Sequence, residues 1–263
     1  LEALGGKKKA ARAIAMRPLL MVHGISSNAR KTYGVPDFFG RPRPDGMYQY
    51  LIKKGYKPGI DLFWYSYPTL NPIPVSARRL KSEIEKVRKI TAAKELDLLT
   101  FSLGGIIGKY YVVSHLYQNE ICNLVMVAPP FLGSHWADWF KAPFTQSADD
   151  FVFTGDGKAL SPQVLSFENP FLQKLAQTQF PDSIKTTIIA LKAVATEQHS
   201  LVYESLRWLT NWTGEGDLVV PIESSRIKAN HFYEITEELS LRAIHRYLPF
   251  NPRVQELVFQ ALQ

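Results

Sequence analysis

Residues 96–111 read LDLLTFSLGGIIGKYY, and the spacing of apolar residues changes in the middle of the run. Leu96, Leu98 and Leu99 form a short apolar stretch suited to a buried strand. Ile106, Ile107, Tyr110 and Tyr111 recur at helical spacing. One serine and two glycines separate the halves. A strand that reverses directly into a helix brings backbone close to backbone, and glycine supplies the clearance. Ser102 then stands at the tip of the turn, pointing away from the core.

The same alternation recurs along the chain. PLLMVHGI at 18–25, DLFWYSY at 61–67, NLVMVAPP at 123–130 and Thr186–Ala195 read as strands, as does RIKANHFYEI at 226–235. Met47–Lys54 reads as a short helix. From Ser76 onward Ala77, Leu80, Ile84 and Val87 share one face of an amphipathic helix, with Ser76 as its expected cap. Ser200–Leu209 also reads as a helix. Asn251 and Pro252 open a terminal helix whose apolar stripe is Val254, Leu257, Val258, Ala261 and Leu262. Strands apolar on both faces, separated by amphipathic helices, imply an α/β fold with a mostly parallel central sheet flanked by helices. Active sites in such folds lie beyond the carboxyl ends of the strands, where Ser102 and the His23-Gly24-Ile25 run both fall.

At 263 residues the chain fits one such domain. Its first 16 residues are a basic extension. KKKAARAIAMR is broken by arginines, so no signal peptide is read there, and no apolar stretch reaches the roughly 20 residues that span a bilayer. A soluble protein is expected, with its compartment open. The net charge of +7 is spread along the chain without a nucleic-acid motif, so no nucleic-acid partner is expected. That charge is compatible with transient contact with a lipid surface. Cys122, the single cysteine, forms no internal disulfide and reads as a buried, inert thiol.

A serine hydroxyl becomes a nucleophile only when an imidazole takes its proton, and a carboxylate must orient that imidazole. TFSLGG is close to the G-x-S-x-G elbow. Together with PLLMVHGISSN, GEGDLVVP at 214–221 and HRYLPFNPRVQELVFQAL at 245–262, it resembles the α/β-hydrolase superfamily, and within it bacterial lipases and esterases. The resemblance covers residues 17–263 and is weak across 131–182. It implies Ser102 as nucleophile, Asp217 as acid and His245 as base, with the backbone amides of Ile25 and Leu103 as oxyanion donors. His23 would shape the oxyanion loop. Thr100 stands where the family has glycine; a β-branched residue there holds the helix off, and Gly104 and Gly105 would accommodate it.

Asp156, Asp182 and His231 are weaker candidates, since the aspartates suit turns and His231 sits within a strand-like alternation. His115, His135 and His199 have no evident partner. No histidine pair has ligand spacing, so neither a metal nor a cofactor is expected. From 131 to 182 the regularity breaks and aromatics accumulate, which marks a lid or cap. Trp136, Trp139 and Phe140 share one helical face with Leu132 and are expected to bind an acyl chain. The expected function is hydrolysis of carboxylic esters or lipids through an acyl-enzyme. An acyltransferase or thioesterase would use the same triad, and a non-catalytic binding protein would keep the same fold. Oligomeric state is not encoded in these features.

Overall fold

A computed structural model describes residues 16–37, 39–134, 165–167, 169–195 and 215–263. Among them, β1 is Leu19–Val22, β2 Leu62–Tyr65, β3 Leu96–Phe101, β4 Ile121–Val127, β5 Lys185–Val194 and β6 His231–Glu238. They form one six-stranded sheet in the order β2-β1-β3-β4-β5-β6, parallel throughout. The described helices are α1 (Ala29–Tyr33), α2 (Met47–Lys53), α3 (Ile73–Thr91), α4 (Leu103–Val113), α5 (Pro170–Gln177), α6 (Ile222–Ser225) and α7 (Pro252–Ala261).

The sheet is covered on both faces, which explains why β1 and β3 are buried at every position. On one face Ala77, Leu80 and Ile84 of α3 and Ile106, Ile107 and Tyr111 of α4 pack against Leu20, Leu98 and Leu124. On the other, Tyr33, Met47 and Leu51 of α1 and α2 and Val254 and Val258 of α7 pack against Met21, Leu99 and Val125. Each fully buried Leu, Val or Ile contributes about 1.5–3 kcal/mol, so these two layers dominate the stability of the fold.

Several details differ from the sequence reading, among them the last strand, read at 226–235 but running His231–Glu238 because Lys228–Asn230 precede its ladder with β5. The long helix begins at Ile73, directly after Pro72, so Ser76 lies inside it rather than capping it. Pro74 fits the first turn, where no intrahelical donor is required. β4 starts at Ile121 and stops before the Pro129-Pro130 pair, which cannot donate to a ladder. Residues 165–182, the close of the irregular stretch, contain α5, whose Leu172 and Leu175 join Phe131 and Leu165 in a sheet-covering layer. Asn169 caps α5 by accepting from the Phe171 and Leu172 amides, and Pro170 opens it. The candidate residues Trp136, Trp139 and Phe140, like Asp156, His135, His199 and the helix expected at Ser200–Leu209, lie outside the described residues.

The strand order dictates where a site can form. The crossover leaving β1 passes over one face towards β2, and the crossover leaving β3 passes over the other towards β4. The two chains diverge and leave a crevice beyond the carboxyl ends of β1 and β3.

Candidate active site

Ser102 stands at that crevice. The β3 ladder holds the turn until the last moment, because the Ser102 amide still donates to Val127 O of β4 at 2.9 Å. The chain then reverses within one residue: Ser102 has φ 54° and ψ −123°, and α4 starts at Leu103. A side-chain-bearing residue in that region is strained by about 1–3 kcal/mol, a cost met by the packed strand and helix on either side.

The glycines around it mark close approaches. A methyl at Gly104 would stand 2.6 Å from Val22 O and 2.7 Å from His23 O, and one at Gly24 would stand 2.9 Å from Ser102 Cβ. The β1 loop therefore lies directly against the serine. Thr100 is accommodated by a residue the sequence reading did not single out. Its Cγ2 stands 3.1 Å from where a Gly108 methyl would be, while a Gly105 methyl would stand 2.7 Å from Pro129 Cβ and 3.6 Å from Thr100 Oγ1. Gly104 and Gly108, one turn apart, give α4 the smooth face that β1 and Thr100 each require.

His245 opens a short 3₁₀ segment, His245–Phe250, between β6 and α7. Its Nε2 stands 2.9 Å from Ser102 Oγ and its Nδ1 2.6 Å from Asp217 Oδ2. Phe101 lies against the imidazole, with ring centroids 4.8 Å apart. Asp217 is in the turn before α6. Its Oδ1 accepts from the amides of Val219 (3.1 Å) and Val220 (2.8 Å), and its own carbonyl accepts from the His245 amide at 3.0 Å. All three side chains are buried, Ser102 at 3% exposure, His245 at 7% and Asp217 at 1%. A carboxyl group buried this deeply needs hydrogen bonds in place of water, and three donors supply them here. A neutral imidazole donating from Nδ1 to that carboxylate presents Nε2 as acceptor for the serine hydroxyl.

The loop after β1 is held by aromatic side chains. The Tyr67 amide donates to His23 Nε2 at 3.1 Å, so Nδ1 carries the proton and donates to Gly24 O at 2.8 Å. Burial pushes the His23 imidazole down to about 4, which keeps it neutral in this role. Tyr67 stacks on the ring and its hydroxyl donates to His23 O, while the Tyr33 hydroxyl donates to Val22 O. Leu103 is the first residue of α4, so its amide has no intrahelical acceptor. The Ile25 amide follows Gly24 on the loop packed against Ser102.

The other candidates fall elsewhere. His231 opens β6 and is exposed, His115 follows α4, and Asp182 precedes β5; all three lie at the amino end of the sheet. Cys122 is also there, half-buried, with its thiol pushed up by burial.

Neither a family model nor any curated protein matches the sequence. Solved structures do. The mature form of Bacillus licheniformis lipase BlEst2 superposes with a TM-score of 0.69 at 16% identity, over 95% of this chain and 93% of that one. The fold is the α/β-hydrolase fold. Two further structures with this α/β-hydrolase likeness are phospholipase PlaB from Legionella pneumophila and EstA from Clostridium botulinum. PlaB has a TM-score of 0.65 at 15% identity over 94% of this chain, which spans 59% of PlaB. EstA has a TM-score of 0.61 at 11% identity, over 96% and 90% of the two chains. Within this α/β-hydrolase fold, sequence reasoning missed Tyr33, Tyr67 and Gly108. Only Gly108 left a local signal, since it stands four residues after Gly104.

Proposed function

We propose that this chain is a serine hydrolase that cleaves carboxylic esters, including lipid esters, through an acyl-enzyme. The observation that carries the reading is the hydrogen-bonded line from Ser102 Oγ through both nitrogens of His245 to Asp217. The names of the neighbouring structures, lipase and phospholipase, add support for an ester substrate.

In this reading His245 Nε2 takes the Ser102 proton as Oγ attacks the ester carbonyl, and Asp217 stabilises the imidazolium that results. The amides of Ile25 and Leu103 donate to the developing oxyanion. His245 returns the proton to the departing alcohol, leaving Ser102 acylated. Water, deprotonated by the same nitrogen, then releases the acid. Trp136, Trp139 and Phe140, in the part of the proposed lid or cap that precedes the sheet-covering α5, would hold the acyl chain; alanine variants of the three that keep the wild-type chain-length preference would remove that assignment.

The test is turnover of soluble p-nitrophenyl esters. Ser102→Ala is expected to lose about 10⁴- to 10⁶-fold in kcat, the scale seen when one member of such a unit is removed. Near-normal turnover by that variant would refute the mechanism.

A further inference from the structure

The line of hydrogen bonds does not stop at Asp217. Ser134, in the loop after β4, is 4% exposed, and its hydroxyl donates to Val219 O at 2.6 Å. That carbonyl belongs to the same peptide unit as the Val220 amide, which donates to Asp217 Oδ1 at 2.8 Å, the shorter of its two backbone bonds. A peptide whose oxygen accepts a hydrogen bond becomes a stronger donor at its nitrogen, because the amide resonance shifts charge in one direction. The turn also carries backbone strain. Leu218, between the acid and Val219, has φ 68°, a left-handed conformation that a branched side chain resists. Within the turn the Asp217 amide reaches back to Val220 O only at 3.4 Å, while its base is closed by the Ile222 amide donating to Glu215 O at 2.8 Å.

We infer that Ser134 is a positioning residue for Asp217, the far end of a continuous chain. Its order is Ser134 hydroxyl, the Val219–Val220 peptide, Asp217, His245 and Ser102. The inference rests on the function proposed above. Ser134 touches no reacting atom. It fixes the plane of one peptide, that peptide fixes one carboxylate oxygen, and the other oxygen is thereby aimed at His245 Nδ1.

A neighbouring serine supplies the control. Ser225 is equally buried, and its hydroxyl donates to Pro129 O at 2.9 Å, so it too ties the β4 loop to the segment after Asp217. It does not bond the peptide that holds the carboxylate. Ser134→Ala and Ser225→Ala each remove a buried hydroxyl donor, and only the first interrupts the chain.

The experiment compares both variants in the full-length protein by kinetics on p-nitrophenyl butyrate and by proton NMR of the downfield His245 Nδ1–H resonance. Ser134→Ala is expected to lower kcat about 10-fold, with KM within about twofold, and to move that resonance upfield. Ser225→Ala is expected to lose a similar amount of thermal stability and to leave kcat and the resonance unchanged. Ser134→Thr, which keeps the hydroxyl, should restore both. If Ser134→Ala does not fold, Ser134→Cys, nearly isosteric and a weaker donor, should give an intermediate resonance. An unmoved resonance in Ser134→Ala or Ser134→Cys, or equal shifts in the Ser134 and Ser225 variants, overturns the inference. Because the resonance is read without turnover, absence of ester hydrolysis in the wild type would defeat the proposed function and leave this test intact.

Discussion

The two ends of the sheet solve opposite problems with similar residues. At the amino end one buried carboxyl group is Asp97, which accepts from Arg17 at 2.9 Å and from the Asn123 amide at 3.0 Å. Its bonds tie neighbouring strands together and lead nowhere else. At the carboxyl end the counterpart is Asp217, held by two amides and spending its remaining oxygen on His245. Backbone strain divides in the same way. The described non-glycine residues with positive φ are Ser26, Ala92, Ser102, Asn119, Ala128 and Leu218. Ala92 ends a helix and Asn119 precedes β4, both at the amino end in ordinary turns. The other four belong to the segments that leave β1, β3, β4 and β5 around the crevice. One end is built for stability, and the other stores strain where a serine must be presented.

The sharpest way to break this contrast is to neutralise each aspartate in turn. Asp217→Asn should cost about 10³- to 10⁴-fold in kcat with little loss of thermal stability. Asp97→Asn should leave kcat within twofold and lower stability by about 1–3 kcal/mol in urea unfolding. Equal effects of the two variants on turnover would erase the distinction.

Crowding at the crevice gives the next effect. Gly104→Ala pushes a methyl to 2.6 Å from Val22 O, against backbone that cannot turn aside. A destabilisation of about 2–4 kcal/mol, with loss of esterase activity in the folded fraction, is expected.

Acid should also act on the carboxyl end first. The folded His23 imidazole titrates near 4, below its ordinary 6.5, so the unfolded chain takes up the extra proton. Stability from this group is therefore complete above about pH 6.5 and falls as pH drops towards 4, by on the order of 2–3 kcal/mol. Urea midpoints at pH 7 and 4.5 should converge in His23→Asn relative to wild type. The smallest effect comes from relieving strain. Ser102→Gly and Ala92→Gly should each gain up to about 1 kcal/mol, and only the first should abolish turnover.

Much of this was legible in the residues. The change of period at Ser102 predicted a strand, a tight turn and a helix, and β3 and α4 are those elements. The resemblance to α/β-hydrolases pointed to Asp217 and His245 as partners of Ser102, and the three side chains stand in one hydrogen-bonded line. What stayed hidden depends on tertiary contact. Nothing near Tyr67 in sequence says that its amide will meet His23, and nothing near Ser134 points to Val219. Other features were readable by rule. Asn169-Pro170 repeats the Asn251-Pro252 opening, and Leu172 and Leu175 follow at helical spacing, a signal for α5 that the lid reading of 131–182 passed over. Thr100 looked like a misfit until Gly108, two turns along the elbow and helix, supplied the space it takes.

The central claim is that geometry at the carboxyl end makes one hydroxyl reactive. Mass spectrometry of the protein treated with a fluorophosphonate probe tests it most directly. A single stoichiometric adduct on the peptide carrying Ser102, lost when His245 is replaced by alanine, is the predicted result. No adduct, an adduct on another residue, or undiminished labelling of His245→Ala would contradict it.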